Sequence, residues 1–142
     1  MKTVTILSGL SGVGKTWLRT THPALKALPC LDMADIYREY PEMDYLEAGG
    51  VLLKRLGILL EEADDMVVEG YFLPRSYSLD VLLSEVKRLG AQPTIIRLWA
   101  PLEVSQARLY ADRDKAEMSG DQRAAADVDK RLELLVRLWK PV

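Results

Sequence analysis

The chain has 142 residues, 49% hydrophobic and 28% charged, which is enough for one domain with a real core and excludes a disordered chain. Its 19 Lys and Arg against 21 Asp and Glu leave a net charge of −2, which argues against a surface that coats nucleic acid or membrane by bulk charge. The lone Cys30 and lone His22 allow no intrachain disulfide and no zinc cluster, a pattern that suits the cytoplasm, and no apolar run reaches the ~18 residues of a membrane span.

Taken in chain order, a β-branched run over 3–7 reads as a strand. It leads through a glycine-rich turn into a helix over 15–21, which Pro23 closes. The apolar run 28–31 ends on Asp32, and its brevity and Pro29 place it at a sheet edge or strand start. A turn or two of helix follows over 33–40. Between 42 and 63, Tyr45, Ala48, Leu52, Leu56, Leu59 and Ala63 recur every three or four residues, which predicts a helix with a break at Gly49-Gly50. Met66-Val67-Val68 reads as a buried strand finishing on Glu69-Gly70.

After a loop over 71–77, a helix is expected over 78–89 with Gly90 at its C′ position. A fourth strand covers 94–99, and Pro101 opens a helix to about residue 111. The polar stretch 112–126 is expected to be a mobile segment. A last helix over 127–139 carries Val128, Leu132, Leu135 and Trp139 on one face. Strands alternating with helices predict a single α/β domain over 1–142, with a parallel sheet, helices on both faces and ligands at the carboxyl ends of the strands.

Gly9-x4-Gly14-Lys15-Thr16 satisfies the phosphate-loop pattern G-x-x-x-x-G-K-[ST], between a predicted strand and a predicted helix as that pattern requires. The glycines let backbone N–H groups close on phosphate oxygens, and the helix start adds the positive end of its dipole. Lys15 brings a full charge to the β- and γ-phosphates, and the Thr16 hydroxyl is a ligand for Mg²⁺. Gly9, Leu10, Ser11, Gly12, Val13, Gly14, Lys15 and Thr16 are therefore the expected ATP-binding set. A chance match in a chain of this length has a probability of roughly half a percent at ordinary residue usage.

The guanine-reading N-K-x-D and the L-S-G-G-Q of transporter ATPases are both missing, which leaves a small kinase as the class the remaining residues can serve. Such an enzyme needs an acceptor-side base, a magnesium organiser and arginines at the phosphates. Asp32 and Asp35 are the base candidates. Asp35 stands three residues before Arg38, so on a helix both point the same way and can orient a hydroxyl and a neighbouring anionic group. Asp32 reads equally as a helix N-cap or as a holder of Mg²⁺ through water. Glu69 ends its strand where a Walker B acid organises magnesium; its alternatives are a hydrogen bond to substrate or a structural cap. Arg113 first and Arg108 second are expected to close on the phosphates. Trp99 and Trp139 are expected in the core, whereas Tyr37, Tyr45, Tyr71 and Phe72 read equally as base-stacking or buried aromatics.

The stretches Gly9 to Trp17, Asp35-Ile36-Tyr37-Arg38, Val67-Val68-Glu69-Gly70 and Ile96 to Val104 together resemble the P-loop kinases related to polynucleotide 5′-hydroxyl kinase. The resemblance implies a three-layer P-loop kinase fold whose four parallel strands run in the order 2-3-1-4. It implies Asp35 as general base, Arg38 on a phosphate of the acceptor, Lys15 and Thr16 on ATP and Mg²⁺, and a lid arginine, Arg113 or Arg108, on the transferring phosphoryl group, with the mobile stretch at about 112–126 as the lid segment. Relatives commonly carry a fifth strand after the last helix, where this sequence has Lys140-Pro141-Val142, so a minimal kinase is expected. The expected reaction moves the γ-phosphoryl group of ATP to a hydroxyl of a nucleic-acid 5′-end or of a nucleoside or nucleotide. A kinase for an unrelated small metabolite, and a nucleotide-binding or hydrolysing regulator without an acceptor, are the alternatives.

Overall fold

A computed structural model describes residues 1–141. β1 (Lys2–Ser8) pairs in parallel with β3 (Asp65–Gly70) on one side and β4 (Ala91–Arg97) on the other, and β2 (Cys30–Asp32) adds to β3. The sheet order is therefore β2-β3-β1-β4, the expected one. The two inner strands are the apolar ones: Val4, Ile6, Leu7, Met66, Val67 and Val68 are all fully buried, as a parallel sheet covered on both faces requires. Both prolines near strands sit where a missing N–H is tolerated. Pro29 directly precedes β2, and Pro93 lies within β4, and both of these strands are edges.

The chain divides into two compact units, one built from Met1–Ser8 with Lys15–Arg97 and the other from Gly9–Gly14 with the chain from Leu98 on. The first holds the sheet with α1 (Lys15–Thr21), α2 (Met33–Glu39), α3 (Tyr45–Glu62) and α4 (Tyr77–Arg88). α3 is capped by Asp44, whose carboxylate accepts from the Glu47 N–H at 2.8 Å. It buries Ala48, Leu52, Leu56 and Leu60, one residue per turn.

The break expected at Gly49-Gly50 does not occur, and α3 runs unbroken through both. An interior glycine costs about 0.5–1 kcal/mol relative to alanine, whereas fully burying one leucine contributes about 1.5–3 kcal/mol, so three buried leucines hold the helix together. α4 starts on Ser76, which accepts from the Leu79 N–H at 3.2 Å, and buries Leu79, Leu82 and Val86. It stops at Gly90, whose φ of 77° is the left-handed C′ conformation.

The second unit is a helical hairpin, α5 (Leu102–Met118) and α6 (Gln122–Leu138), around Leu109, Val128 and Leu135 with Leu10, Leu102, Leu132 and Trp139 packed against them. The helices read to about residue 111 and from 127 therefore extend over most of 112–126, the stretch expected to be a mobile segment, and only Ser119-Gly120-Asp121 turns the chain. Gly120 takes a φ of 73°, and Asp121 caps α6 by accepting from the Ala124 N–H at 3.0 Å. The stretch is polar because each helix buries one narrow stripe, while ion pairs such as Arg113–Glu117 occupy the rest. Trp99 also departs from expectation. It is half exposed, with its indole N–H donating to the Lys140 carbonyl at 3.0 Å, whereas Trp139 packs on the hairpin core and donates to the Ala100 carbonyl at 2.9 Å. Among the described residues, no helix is long and apolar enough to cross a membrane.

Candidate active site

The glycines of the phosphate loop are demanded by space as well as by sequence. A side chain at Gly12 would begin 2.7 Å from the Ser105 carbonyl oxygen, and the φ of +79° already excludes most residues. A Cβ at Gly9 would lie 2.8 Å from Val13 and 2.9 Å from the Leu98 carbonyl. Arg108, from α5, reaches back to this loop: its Nη1 donates to the Gly12 carbonyl at 2.9 Å and lies 3.5 Å from where a Cβ on Gly14 would stand.

In the other unit, Lys15 opens α1 and is 9% exposed, with its ammonium 5.4 Å from the centre of the Tyr71 ring. Tyr71 is held there by a strained loop. Ser8 Oγ lies 2.9 Å from the Tyr71 carbonyl oxygen and 2.7 Å from that of Phe72, so one buried hydroxyl proton serves both. Phe72 is buried at a φ of 30°, and its ring comes so close to Gly70 that a Cβ there would overlap it at 2.6 Å. Positive φ at a bulky residue persists only where packing enforces it, and here packing aims the neighbouring Tyr71 ring at the lysine.

Glu69, next to last in β3, is 3% exposed and in register with Leu7 of β1 and Asp32 of β2. Both of its oxygens are taken. Thr16 Oγ1 donates to Oε1 at 2.6 Å, and Arg19 Nε donates to Oε2 at 2.8 Å. Asp32 beside it caps α2, accepting from the Ala34 N–H at 2.9 Å, so the N-cap reading describes its contacts. Burial, and then the charge of Glu69, push the Asp32 carboxyl above its ordinary range. Burial likewise pushes the nearby Cys30 thiol up to about 12 against the opposing pull of Arg19, so no thiolate forms there at neutral pH.

The hydroxyl of Thr16 and the carboxylates of Glu69 and Asp32 are hard oxygen donors, the chemistry that suits Mg²⁺. Among the described residues, no three His, Cys, Asp or Glu side chains converge into a metal cage.

Asp35 and Arg38 face one another on α2, Arg38 Nη1 donating to Asp35 Oδ1 at 2.6 Å, with both side chains more than half exposed. Ile36, 1% exposed, anchors the helix between them. Tyr37 stands beside them, its hydroxyl pKa raised by burial first and by Tyr71 second. Of the two arginines singled out in the sequence, Arg108 touches the phosphate loop. Arg113 is held within the hairpin, its Nε on Asp129 at 2.6 Å and its Nη1 on Glu117 at 2.8 Å.

Two contacts were not anticipated. Arg19 was not singled out, although its place three residues after Thr16 puts both on one face of a helix and was a usable signal. The approach of Tyr71 to Lys15 depends on the fold around Phe72, and no local pattern announces it.

No family model matches this chain, and no curated protein matches it. Solved structures do share its fold. The APS kinase of Mycobacterium tuberculosis, in complex with AMPPNP and APS, is 19% identical with a TM-score of 0.57, over 82% of this chain and 75% of that one. Shikimate kinase from Acinetobacter baumannii, in complex with shikimate, is 16% identical with a TM-score of 0.52, over 96% of this chain and 79% of that one. A chain of the Pnkp1/Rnl/Hen1 RNA repair complex is 15% identical with a TM-score of 0.62, over 98% of this chain and 46% of that one. With the sheet order β2-β3-β1-β4, these likenesses show an α/β fold of the P-loop kinase type.

Proposed function

We propose that this protein is an ATP-dependent phosphotransferase of the cytoplasm that moves the γ-phosphoryl group to a hydroxyl, most suitably on a nucleic-acid 5′-end, a nucleoside or a nucleotide. The observation that carries the reading is the 2.6 Å hydrogen bond from Thr16 to Glu69, which joins the last residue of the phosphate-loop motif to a buried strand-end carboxylate. A glycine-rich turn that bound nothing would have no need of a buried acid on its threonine.

In this reading the loop from Gly9 to Gly14 wraps the phosphates, and Lys15 leaves the Tyr71 face to meet the β- and γ-phosphate oxygens. Thr16, with Glu69 and Asp32 behind it through water, would hold Mg²⁺, which supplies neutralising charge at the phosphates. The acceptor oxygen attacks the γ-phosphorus, the bond to the β,γ-bridging oxygen breaks, and the acceptor proton passes to Asp35. Arg38 turns from Asp35 to an anionic group of the acceptor. Arg108 supplies charge at the loop it already touches. Arg113, in a lid over about 112–126 of this single catalytic domain, would have to exchange Asp129 and Glu117 for phosphate. The near-neutral net charge favours a small acceptor or a chain end over a long polyanion.

Incubation with γ-labelled ATP and a panel of oligonucleotides, nucleosides, nucleotides, sugars and small hydroxy acids tests the proposal. Label is expected on a nucleic-acid end or a nucleoside-type hydroxyl. Label on another metabolite would refute the acceptor class, and free phosphate unaffected by any acceptor would refute the transferase.

A further inference from the structure

Arg19 leaves α1 on the same face as Thr16, and the two side chains take different oxygens of one carboxylate. Arg19 is 23% exposed and Glu69 3%, so the pair is largely withdrawn from water, where a charge-assisted hydrogen bond fixes geometry firmly. Glutamate has three rotatable bonds, and a single hydrogen bond to a threonine would leave its orientation poorly determined. The second bond, to a guanidinium whose own helix also carries Thr16, determines it. The consequence falls on the threonine. With its proton donated to Glu69, Thr16 Oγ1 is left with lone pairs alone, which is the state a metal ligand requires.

We infer that Arg19 is a positioning residue for the nucleotide site: by holding Glu69 through Oε2 it keeps Oε1 on the Thr16 hydroxyl and so keeps the Thr16 oxygen available to Mg²⁺. The inference rests on the phosphotransferase reading above and adds to it a residue that touches neither nucleotide nor acceptor.

The test is calorimetric titration of the full chain with a non-hydrolysable ATP analogue, with Mg²⁺ and with a chelator. Wild-type protein is expected to bind more tightly when Mg²⁺ is present. Arg19→Met is expected to lose on the order of 10- to 100-fold of that metal-dependent gain, the usual effect of removing an outer partner of a metal ligand, while metal-free binding changes little. Arg19→Lys, which returns a cation and one donor to Oε2, is expected to recover part of the gain, a rescue that a purely packing role would not show. Circular dichroism monitors folding, and if Arg19→Met does not fold, Arg19→Gln takes its place with the same expected loss.

A full metal-dependent gain in the folded neutral variant overturns the inference. So does a gain larger than wild type, since Arg19 would then act by repelling the metal. Wild-type protein that binds nucleotide with no gain from Mg²⁺ overturns the inference alone. Wild-type protein that binds no nucleotide overturns the phosphotransferase reading and the inference with it.

Discussion

Glu69→Gln keeps the shape of the side chain and removes its charge, and the surrounding hydrogen bonds dictate how the site responds. The carboxylate accepts at both oxygens, from Thr16 at 2.6 Å and from Arg19 at 2.8 Å. A carboxamide has one accepting oxygen and one donating nitrogen, and a guanidinium has donors only. The oxygen must therefore turn to Arg19 and the NH₂ to Thr16, whose hydroxyl can reverse and accept. The network survives with the Thr16 lone pair spent and its proton turned outward, which is the wrong state for a metal ligand. A hydrogen bond to a charged group contributes about 1.5–3 kcal/mol and a neutral one about 0.5–1.5 kcal/mol, so the Thr16 bond loses about 1 kcal/mol. Arg19 retains a bond and has partial access to water, so its share is below about 1 kcal/mol. The expected cost is roughly 1–2 kcal/mol in guanidinium unfolding, small enough to leave the protein folded. Mg²⁺ half-saturation at fixed ATP should rise about 10- to 100-fold, well beyond what the stability change suggests. A folded Glu69→Gln protein with the wild-type Mg²⁺ requirement would refute the assignment of Thr16 and Glu69 to the metal.

Asp35→Asn should bind ATP as wild type does and lose label transfer, because an amide cannot take the acceptor proton; full transfer by this variant would sink the base assignment. Gly12→Ala should cost roughly 2–4 kcal/mol in denaturant unfolding, from a left-handed φ and a 2.7 Å approach to the Ser105 carbonyl. Gly50→Ala, exposed on α3 with open space around it, should instead stabilise by about 0.4–1 kcal/mol. For pH, the folded Asp32 carboxyl holds its proton more tightly than an ordinary aspartate, so its contribution to stability is greatest in acid and declines as pH rises through the ordinary and then the raised value. Asp32→Asn keeps a capping oxygen for the Ala34 N–H and should flatten that decline in unfolding measured from pH 3 to pH 7.

How much of the fold was legible in the sequence depends on how local each signal is. The inner strands were legible because 3–7 is rich in β-branched residues and Met66-Val67-Val68 is a short apolar run, and both prove buried. α4 was legible because Leu79, Leu82 and Val86 repeat at helical spacing and a glycine stops them. α3 misled at Gly49-Gly50, because the local glycine penalty is visible in the sequence whereas the burial of Leu52, Leu56 and Leu60 that outweighs it comes only with packing. The stretch 112–126 misled for the opposite reason. Helix there is stabilised by apposition of α5 and α6, residues such as Leu109 and Val128 that lie far apart in sequence, and a short window shows mostly polar and charged residues around a glycine.

The same distinction separates what was readable in the candidate site. A phosphate loop is contiguous, and its eight residues announce themselves; a strand-end acid is marked by the apolar run before it, and Asp35 with Arg38 by helical spacing. The Tyr71–Lys15 contact is otherwise, since it requires Phe72 at a positive φ and a Ser8 proton shared between two carbonyls, neither of which has a sequence signature. Arg19 lies between these cases. Spacing from Thr16 put it on the right face, but its significance depends on Glu69 arriving from β3, far away in the chain. The phosphate-loop pattern ends at Thr16, yet what determines whether that hydroxyl donates or accepts is a carboxylate outside the pattern and the arginine that orients it. The chemistry of the motif's last residue is therefore set by residues the motif does not contain.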